Sequence, residues 1–323
     1  MQIFYVTLVS VIILLLFILP GFILGKFKMI KGTHLKTLST ILVYVLTPMM
    51  FIDSFTKVEF KKQDLINMGY FFIFTLVLQI AFLMTIYFVL RKKYEDPKYR
   101  VFTVGSVMGN VGYFGLPIVT TIYPSLGIAA CYSCIFTATM NILVFTFGVY
   151  ALTEDKQYIS LKKALINPTL IGLALGLILY CCNVGYYINN IENQYGLIFI
   201  DKLMGAVNLL AKMSAPICMI ILGARLSTVS FKNLWTRPMV YLSVVFKGII
   251  FPLFVFVVIR WLPFLDESLK GAMVVLASAP CGAIVLSLAE IHHAQEELAA
   301  NTVLVTTLLS FITIPLISLL LYI

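Results

Sequence analysis

Residues 105–123 read GSVMGNVGYFGLPIVTTIY, and this stretch decides how the rest of the chain is interpreted. It is apolar enough to cross a membrane, yet it contains four glycines, Asn110 and Pro117. Glycine destabilises a helix interior by up to about 1 kcal/mol and proline by about 3 kcal/mol. A helix broken inside the hydrocarbon needs protein or a polar cavity around its freed backbone groups. The stretch therefore predicts an interrupted helix beside a binding site.

The composition places this stretch in a polytopic membrane protein. The chain has 323 residues, of which 61% are hydrophobic and 11% are charged, and its mean hydropathy is +1.02. Soluble domains carry roughly 25% charged residues. The net charge of +9 does not indicate a nucleic-acid partner, because the basic residues lie in short gaps between apolar runs. The lipid bilayer is the partner that the composition predicts.

The apolar runs divide into ten predicted spans of about 20 residues or more. We expect the first to be retained in the membrane rather than cleaved as a signal peptide. The ten spans are 4–25, 34–55, 65–90, 100–123, 127–151, 165–187, 197–224, 238–260, 268–290 and 298–322.

The distribution of lysine and arginine predicts the orientation of these spans. Fifteen of these residues follow odd-numbered spans, among them Lys232, and six follow even-numbered spans. Loops rich in lysine and arginine face the cytoplasm. Both termini are therefore predicted to lie outside the cytoplasm.

The prolines recur in the two halves of the chain. Spans 2 and 4 contain Pro48 and Pro117, and spans 7 and 9 contain Pro216 and Pro280. Because each half holds five spans, an odd number, the second half must begin on the opposite side of the membrane. The predicted fold is all-α, with ten transmembrane helices in a 5+5 inverted repeat (1–151 and 165–323) and two crossed broken helices, spans 4 and 9.

The two broken helices are the predicted site. Span 9 carries small and helix-breaking residues at the positions matched to those of span 4, namely Ser278, Pro280 and Gly282 against Asn110, Gly115 and Pro117. The N-terminus of a half-helix favours an anion, and unwound carbonyls or a C-terminus favour a cation. The alternative is that the glycines form a close helix-packing face and the prolines are simple kinks.

Three further polar side chains within the spans are candidates. Lys247 could pair with an anionic solute or with a carboxylate such as Asp53, and its alternative is to extend towards the cytoplasmic face. Asn141 and Thr306 could line the cavity beside the broken helices. Their alternative is an interhelical hydrogen bond that only stabilises the bundle.

No motif of a familiar enzyme is present. The sequence lacks a Walker A sequence, a GxSxG elbow and an HExxH motif, so the chain is not predicted to be an enzyme. Cys131 and Cys134 have CxxC spacing but no second ligand pair, and we predict neither a metal site nor a cofactor. His292 and His293 could sense pH or bind a metal, but a solvated loop is the favoured interpretation.

Several motifs resemble one known family. GNVGYFGLPIV at 109–119, Asn141 with Gly148, Pro280 with LAE at 288–290, and VTTLLSFITIPL at 305–316 are similar in order and spacing to signatures of the auxin efflux carriers of plants and bacteria. The resemblance covers the whole chain and places Asn110 and Pro117 at a first helix crossover and Pro280 at a second. The asparagine expected after the second proline is absent, and Ala283 and Ile284 stand there.

The resemblance implies a secondary transporter of the cell membrane. A transport domain of spans 3–5 and 8–10 would move against a scaffold of spans 1, 2, 6 and 7, which forms a homodimer, and would export a small, malate-like organic anion by an elevator mechanism. A proton or sodium would be the coupling ion. The fold is also similar to that of bile acid sodium symporters, so a sodium-coupled importer and a transport-dead ligand sensor remain alternatives.

The residues and the resemblance together give ten candidates for contact with the solute or its ion: Asn110, Gly112, Gly115, Pro117, Asn141, Lys247, Ser278, Pro280, Gly282 and Thr306.

Overall fold

The computed structural model describes residues 2–190, 194–228 and 237–322. Lys232, which contributed to the predicted orientation, lies outside these ranges. Within them the chain is helical, and strand-type pairing is limited to one isolated antiparallel bridge between Gly109 and Cys281. The all-helical membrane fold predicted from the composition is confirmed at this level.

The helices follow the predicted spans closely. In chain order they are α1 (Gln2–Lys26), α2 (Gly32–Thr56), α3 (Lys62–Lys93), α4a (Pro97–Gly105), α4b (Val111–Ile122), α5 (Ala129–Thr153), α6 (Lys156–Cys181), α7 (Tyr195–Leu226), α8 (Pro238–Arg260), α9a (Glu267–Ala277), α9b (Ala283–Ile291) and α10 (Glu296–Tyr322). A short helix, Val184–Asn189, follows α6. In the described residues, eight of these helices are long and apolar enough to cross a membrane, and α4b is a shorter apolar helix.

The predicted start of span 6 is wrong by nine residues. Helical turns already occupy 156–158 and 161–165, a stretch that was predicted to be a connection. The second turn forms there because the Ser160 hydroxyl accepts a hydrogen bond from the Lys163 N–H and so caps it.

Both predicted interruptions are present. Residues 106–110 separate α4a from α4b, and residues 278–282 separate α9a from α9b. The second break coincides with Pro280, as predicted. The first does not lie at Gly112, Gly115 and Pro117, three of the helix-breaking residues from which it was predicted. All three belong to α4b, so the prediction that they interrupt the helix is wrong.

The reason is a widened turn that accommodates the proline. A proline in a helix lacks an N–H and clashes with the carbonyl four residues earlier. Val111–Gly115 forms a π-helical turn that ends two residues before Pro117, and the Gly115 N–H bonds to the Asn110 carbonyl. π-helical turns at 42–46 and 246–250 likewise precede Pro48 and Pro252. These prolines therefore lie within continuous helices rather than at breaks.

The helices pack in two groups around the two breaks. The second half of α1 and α2 pack on α7, α2 also packs on α6, and α3 packs on α5. Helix α8 packs on α9a and α10. The first half of α1 packs on α10 and α4b, so α1 joins both groups of helices.

Helices α1 and α7 meet at two glycines. A Cβ added to Gly21 would lie 2.0 Å from the Ile220 carbonyl oxygen, and one added to Gly223 would lie 2.0 Å from the Ile18 carbonyl oxygen. Real Cβ atoms do not approach backbone so closely, so only glycine permits this contact. Small residues at such interfaces allow two helix backbones to pack directly.

We therefore expect Gly223→Ala to separate α1 from α7 and to lower the stability of the protein by about 1–3 kcal/mol, the range for overpacking. The measurement is the melting temperature in detergent. Gly205→Ala is the matched control on the same helix, because a Cβ at Gly205 meets no atom of the described residues within 4 Å. A shift in Gly205→Ala as large as that in Gly223→Ala would contradict the assignment.

Candidate functional site

The two unwound segments hydrogen-bond to each other. The Asn110 N–H donates to the Pro280 carbonyl at 2.7 Å, and the Gly282 N–H donates to the Met108 carbonyl at 3.0 Å. Lipid offers no partner to unwound backbone, and each break supplies one to the other. The two segments therefore form a single crossover.

The remaining N–H groups of the crossover are also paired within the protein. The Gly109 N–H points to Met140 Sδ at 3.1 Å, and the Cys281 N–H donates to Thr306 Oγ1 at 3.1 Å. The N–H groups of 106–108 and 278–279 bond to carbonyls of the preceding helical turns. Because Pro280 has no N–H, every backbone donor of both breaks has a partner.

Lys247 supports the crossover from α8. Its Nζ donates to the Ala277 carbonyl at 2.6 Å, at the C-terminus of α9a, where a cation is favoured by the helix dipole. The lysine is only 1% exposed, so the prediction that it extends to the cytoplasmic face is wrong. Pairing with Asp53 is also wrong, because Asp53 contacts Lys57 at 2.6 Å and Asn208 at 3.0 Å.

Two glycines allow the segments to approach. A Cβ on Gly282 would lie 2.9 Å from the Gly109 carbonyl oxygen, and a Cβ on Gly109 would lie 3.1 Å from Lys247 Nζ. A larger residue at either position would push the two segments apart and leave their N–H and C=O groups without hydrogen-bond partners. Gly109 was not among the predicted site residues, although it lies in the glycine-rich stretch 105–123 from which the site was predicted.

A cavity of about 490 Å³, the inner cavity, adjoins the crossover. It is lined by the first residues of α4b (Val111, Gly112 and Tyr113) and of α9b (Ala283 and Ile284). The first N–H groups of a helix have no partner within it, and they carry about half a positive charge together. Two such helix ends therefore favour an anion in the inner cavity.

The backbone of Asn110, rather than its side chain, forms the hydrogen bonds that stabilise the crossover. The side chain is therefore free for a ligand. The Asn110 carbonyl accepts the Phe114 and Gly115 N–H groups at the start of α4b. Its amide Nδ2 lies 3.6 Å from Cys218 Sγ, a weak contact, and in the described chain its Oδ1 accepts no hydrogen bond. Both polar atoms belong to a residue that lines the inner cavity.

Asn141 lines the same cavity from α5. Its Nδ2 donates to the Thr137 carbonyl of its own helix at 2.8 Å. The interhelical hydrogen bond considered as its alternative role is not formed among the described residues. Asn141 thus presents a second amide to the inner cavity.

Two cations lie where the inner cavity meets the predicted cytoplasmic side. Lys163 of α6 is exposed, and Arg225 of α7 pairs with Glu290 of α9b at 2.6 Å. Burial lowers the pKa of the neighbouring His292, and the Lys163 ammonium lowers it further. His292 is therefore neutral at neutral pH. The net positive charge at this mouth comes from Lys163, because Glu290 offsets the charge of Arg225.

A second cavity of about 430 Å³, the outer cavity, approaches the crossover from the other side. On α2, Tyr44 lines the inner cavity and Met50 the outer one, and on α7 Cys218 and Ala215 divide in the same way. The two cavities therefore open in opposite directions along these helices. Gly112 lines both of them.

A hydrogen bond between two helices lies between the inner and outer cavities. The hydroxyls of Thr47, in α2, and Tyr113, in α4b, lie 2.6 Å apart. Thr47 stands between the inner-cavity and outer-cavity residues of α2. This bond connects α2 to the first turn of α4b.

The predicted site residues thus separate into groups. The inner cavity is lined by Asn110, Gly112, Asn141 and Gly282. Pro117 lines the outer cavity, Lys247, Pro280 and Thr306 hold the crossover, and Gly115 and Ser278 lie in the surrounding packing. Sequence reasoning missed Arg225 and Lys163, which had been interpreted only as topology signals.

Comparisons with known proteins cover nearly the whole chain. The model of a family described as membrane transport protein matches residues 6–161 and 156–318. An uncharacterized transporter of Methanocaldococcus jannaschii is 27% identical over 327 residues, which is 95% of this chain and 96% of that relative. The similarity is therefore to whole transporters rather than to one segment of them.

We expect Thr306→Val to destabilise the crossover by about 1–3 kcal/mol, because it leaves the buried Cys281 N–H without its acceptor. Thr307→Val is the matched control: this threonine is also buried, but among the residues that the structure describes its hydroxyl bonds only to the Val303 carbonyl of its own helix. Melting temperatures in detergent compare the two variants. Equal losses would show that the Thr306 hydroxyl does not support the break.

Proposed function

Because the chain belongs to the membrane transport protein family, which is the family of the auxin efflux carriers, we propose that it exports a small organic anion by secondary active transport. The family makes it a transporter rather than an enzyme. The resemblance seen in the sequence motifs is thereby confirmed. A carboxylate of the malate type is the proposed solute, and a proton or sodium is the proposed coupling ion.

One observation carries the choice of an anion. The N-termini of α4b and α9b both line the inner cavity, beside the amides of Asn110 and Asn141. Helix N-termini and amide donors stabilise a carboxylate, and the inner cavity holds no acidic residue among those that line it in the described chain. Lys163 at its mouth would raise the local concentration of anions, since Glu290 offsets the charge of Arg225.

The proposed mechanism is an elevator. The transport domain would comprise α3–α5 and α8–α10, and the scaffold α1, α2, α6 and α7, within ten helices related as a 5+5 inverted repeat. Two matched breaks and two cavities that open in opposite directions support this arrangement. The contacts of the first half of α1 with α10 and α4b would then have to slide during transport. We further propose a homodimer through the scaffold.

The rival importer driven by sodium would use an acidic residue at the second break. Glu290 lies ten residues after Pro280, about 15 Å along a helix, which is too far from the break, and it pairs with Arg225 at 2.6 Å. This contact favours the exporter.

Counterflow in proteoliposomes tests the proposal. Vesicles loaded with unlabelled malate should accumulate labelled malate or another small carboxylate, with and without a proton or sodium gradient. A strict requirement for sodium on the outer side would favour the importer. Ligand binding without any flux would favour the sensor and contradict transport.

We expect Asn110→Ala to abolish counterflow and leave the melting temperature unchanged, because it removes amide atoms that face the inner cavity but no backbone contact. Asn67→Ala is the matched control, since both asparagines are 8% exposed. The Asn67 amide donates to Asp266 at 2.6 Å, away from both cavities, so its loss should lower the melting temperature and preserve flux per folded protein. Normal flux from Asn110→Ala would remove it from the site.

The proposed location is the cell membrane, with both termini outside the cytoplasm. This orientation places the C-terminus of α6 outside, and Cys181 and Cys182 are the exposed cysteines there, the other four being buried. A membrane-impermeant maleimide should therefore label intact cells, and a Cys181→Ser, Cys182→Ser variant should not be labelled. Labelling that requires permeabilised cells would show the opposite orientation.

A further inference from the structure

Lys247 is a buried lysine at the junction of the two breaks. Its Nζ donates to the carbonyl of Ala277, the last residue of α9a, at 2.6 Å. The same nitrogen lies 3.1 Å from the point where a Cβ of Gly109, in the first break, would stand. One ammonium group on α8 therefore lies against both breaks.

Dipoles rather than a carboxylate offset the charge of this ammonium. Among the residues that the structure describes, none of the ion pairs includes Lys247. The C-terminus of α9a carries about half a negative charge. The ring of Phe251 faces Nζ with its centroid 5.1 Å away, and the face of an aromatic ring attracts cations. Both partners favour a positive charge at this position, whichever ion supplies it.

A transported sodium ion would use the same groups. In transporters with broken helices, unwound carbonyls and the C-termini of half-helices coordinate the coupling cation. Here the Ala277 carbonyl accepts from Lys247, and the carbonyls of Met108 and Pro280 accept N–H groups of the opposite break. These three carbonyls already have donors, so this part of the crossover does not fit a sodium ion.

A second cation beside Lys247 would also be repelled. Two like charges at close range in a protein repel each other unless an anionic group offsets them. Asp53, which lines the outer cavity, pairs with Lys57, and Glu290, at the mouth of the inner cavity, pairs with Arg225. Neither carboxylate is therefore available to offset a sodium ion next to Lys247.

We propose that the Lys247 ammonium is the resident cation of the crossover and takes the place of a coupling sodium ion, so that export of the anion does not require sodium. This inference rests on the proposed function and specifies its coupling, because it excludes one of the two proposed ions. Since α8 and α9a both belong to the proposed transport domain, the ammonium would stay beside the solute in both orientations and would never be released.

Two measurements on the wild type test the inference. Counterflow of labelled malate should be equally fast in sodium chloride and in choline chloride of the same ionic strength. The melting temperature in detergent should also be the same in both salts, because a cation that binds the folded protein raises it. A flux or a melting temperature that rises with sodium to saturation would overturn the inference and leave anion transport intact.

Two variants separate the charge of the ammonium from the space that the side chain fills. Lys247→Met keeps a long flexible side chain without a charge. Lys247→Ala removes the chain from Cγ to Nζ, which is equivalent to propylammonium. Both variants should have a lower melting temperature and no counterflow, because the C-terminus of α9a loses its cation.

Propylammonium is the probe for the vacated site. It should raise the melting temperature of Lys247→Ala and restore part of its flux, whereas choline, which is bulkier, should do neither. Lys247→Met should not respond, because methionine occupies the space. Lys270→Ala is the matched control: Lys270 is 9% exposed and pairs with Glu267 at 2.8 Å, away from the crossover, so propylammonium should not restore its stability.

Two results from the variants would contradict the inference. If Lys247→Met kept the melting temperature and flux of the wild type, the crossover would not need the charge. If propylammonium raised the melting temperatures of Lys247→Ala and Lys270→Ala equally, its effect would not arise at the crossover. Absence of flux for every carboxylate in the wild type would instead contradict the proposed function, while the melting temperatures would still test the role of Lys247.

Discussion

The structure depends on the reciprocal hydrogen bonds between two unwound segments, Asn110 to Pro280 and Gly282 to Met108. Helix breaks are costly in hydrocarbon because lipid satisfies neither N–H nor C=O groups. Neither break would be stable alone, since each takes partners from the other. The two glycines that permit their approach, Gly109 and Gly282, and the inward orientation of Lys247 follow from this requirement. The crossover is thus a unit that must form, or fail to form, as a whole.

The residues that support the crossover are distinct from those that line the inner cavity. Backbone atoms, Thr306 and Lys247 form the support, and the amides of Asn110 and Asn141 line the inner cavity. A substitution in the second group changes the chemistry of the cavity without removing a bond that stabilises the crossover. The lining of the inner cavity can therefore vary while the crossover is kept, because the residues that line the cavity are separate from those that support the crossover.

Much of this arrangement could be predicted from the sequence, because it follows from local properties. Hydropathy located the spans, and proline and glycine indicated both breaks. The exact position of the first break could not be predicted, because a π-helical turn before Pro117 removes the local strain and the break instead forms where Pro280 supplies a partner. Tertiary packing brings Lys247 to the Ala277 carbonyl and Arg225 to the inner cavity. Neither contact could be predicted by counting charges along the sequence.

The sharing of Gly112 between the inner and outer cavities has an electrical consequence. Water that fills two opposed cavities carries the potential of each bathing solution inward, so most of the transmembrane voltage falls across the thin layer of protein between them. A charge that crosses a membrane gains or loses about 2.3 kcal/mol per 100 mV. An anion transferred from the inner to the outer cavity would experience nearly all of this change over a short distance, and an outward step would be driven by the negative interior of a cell.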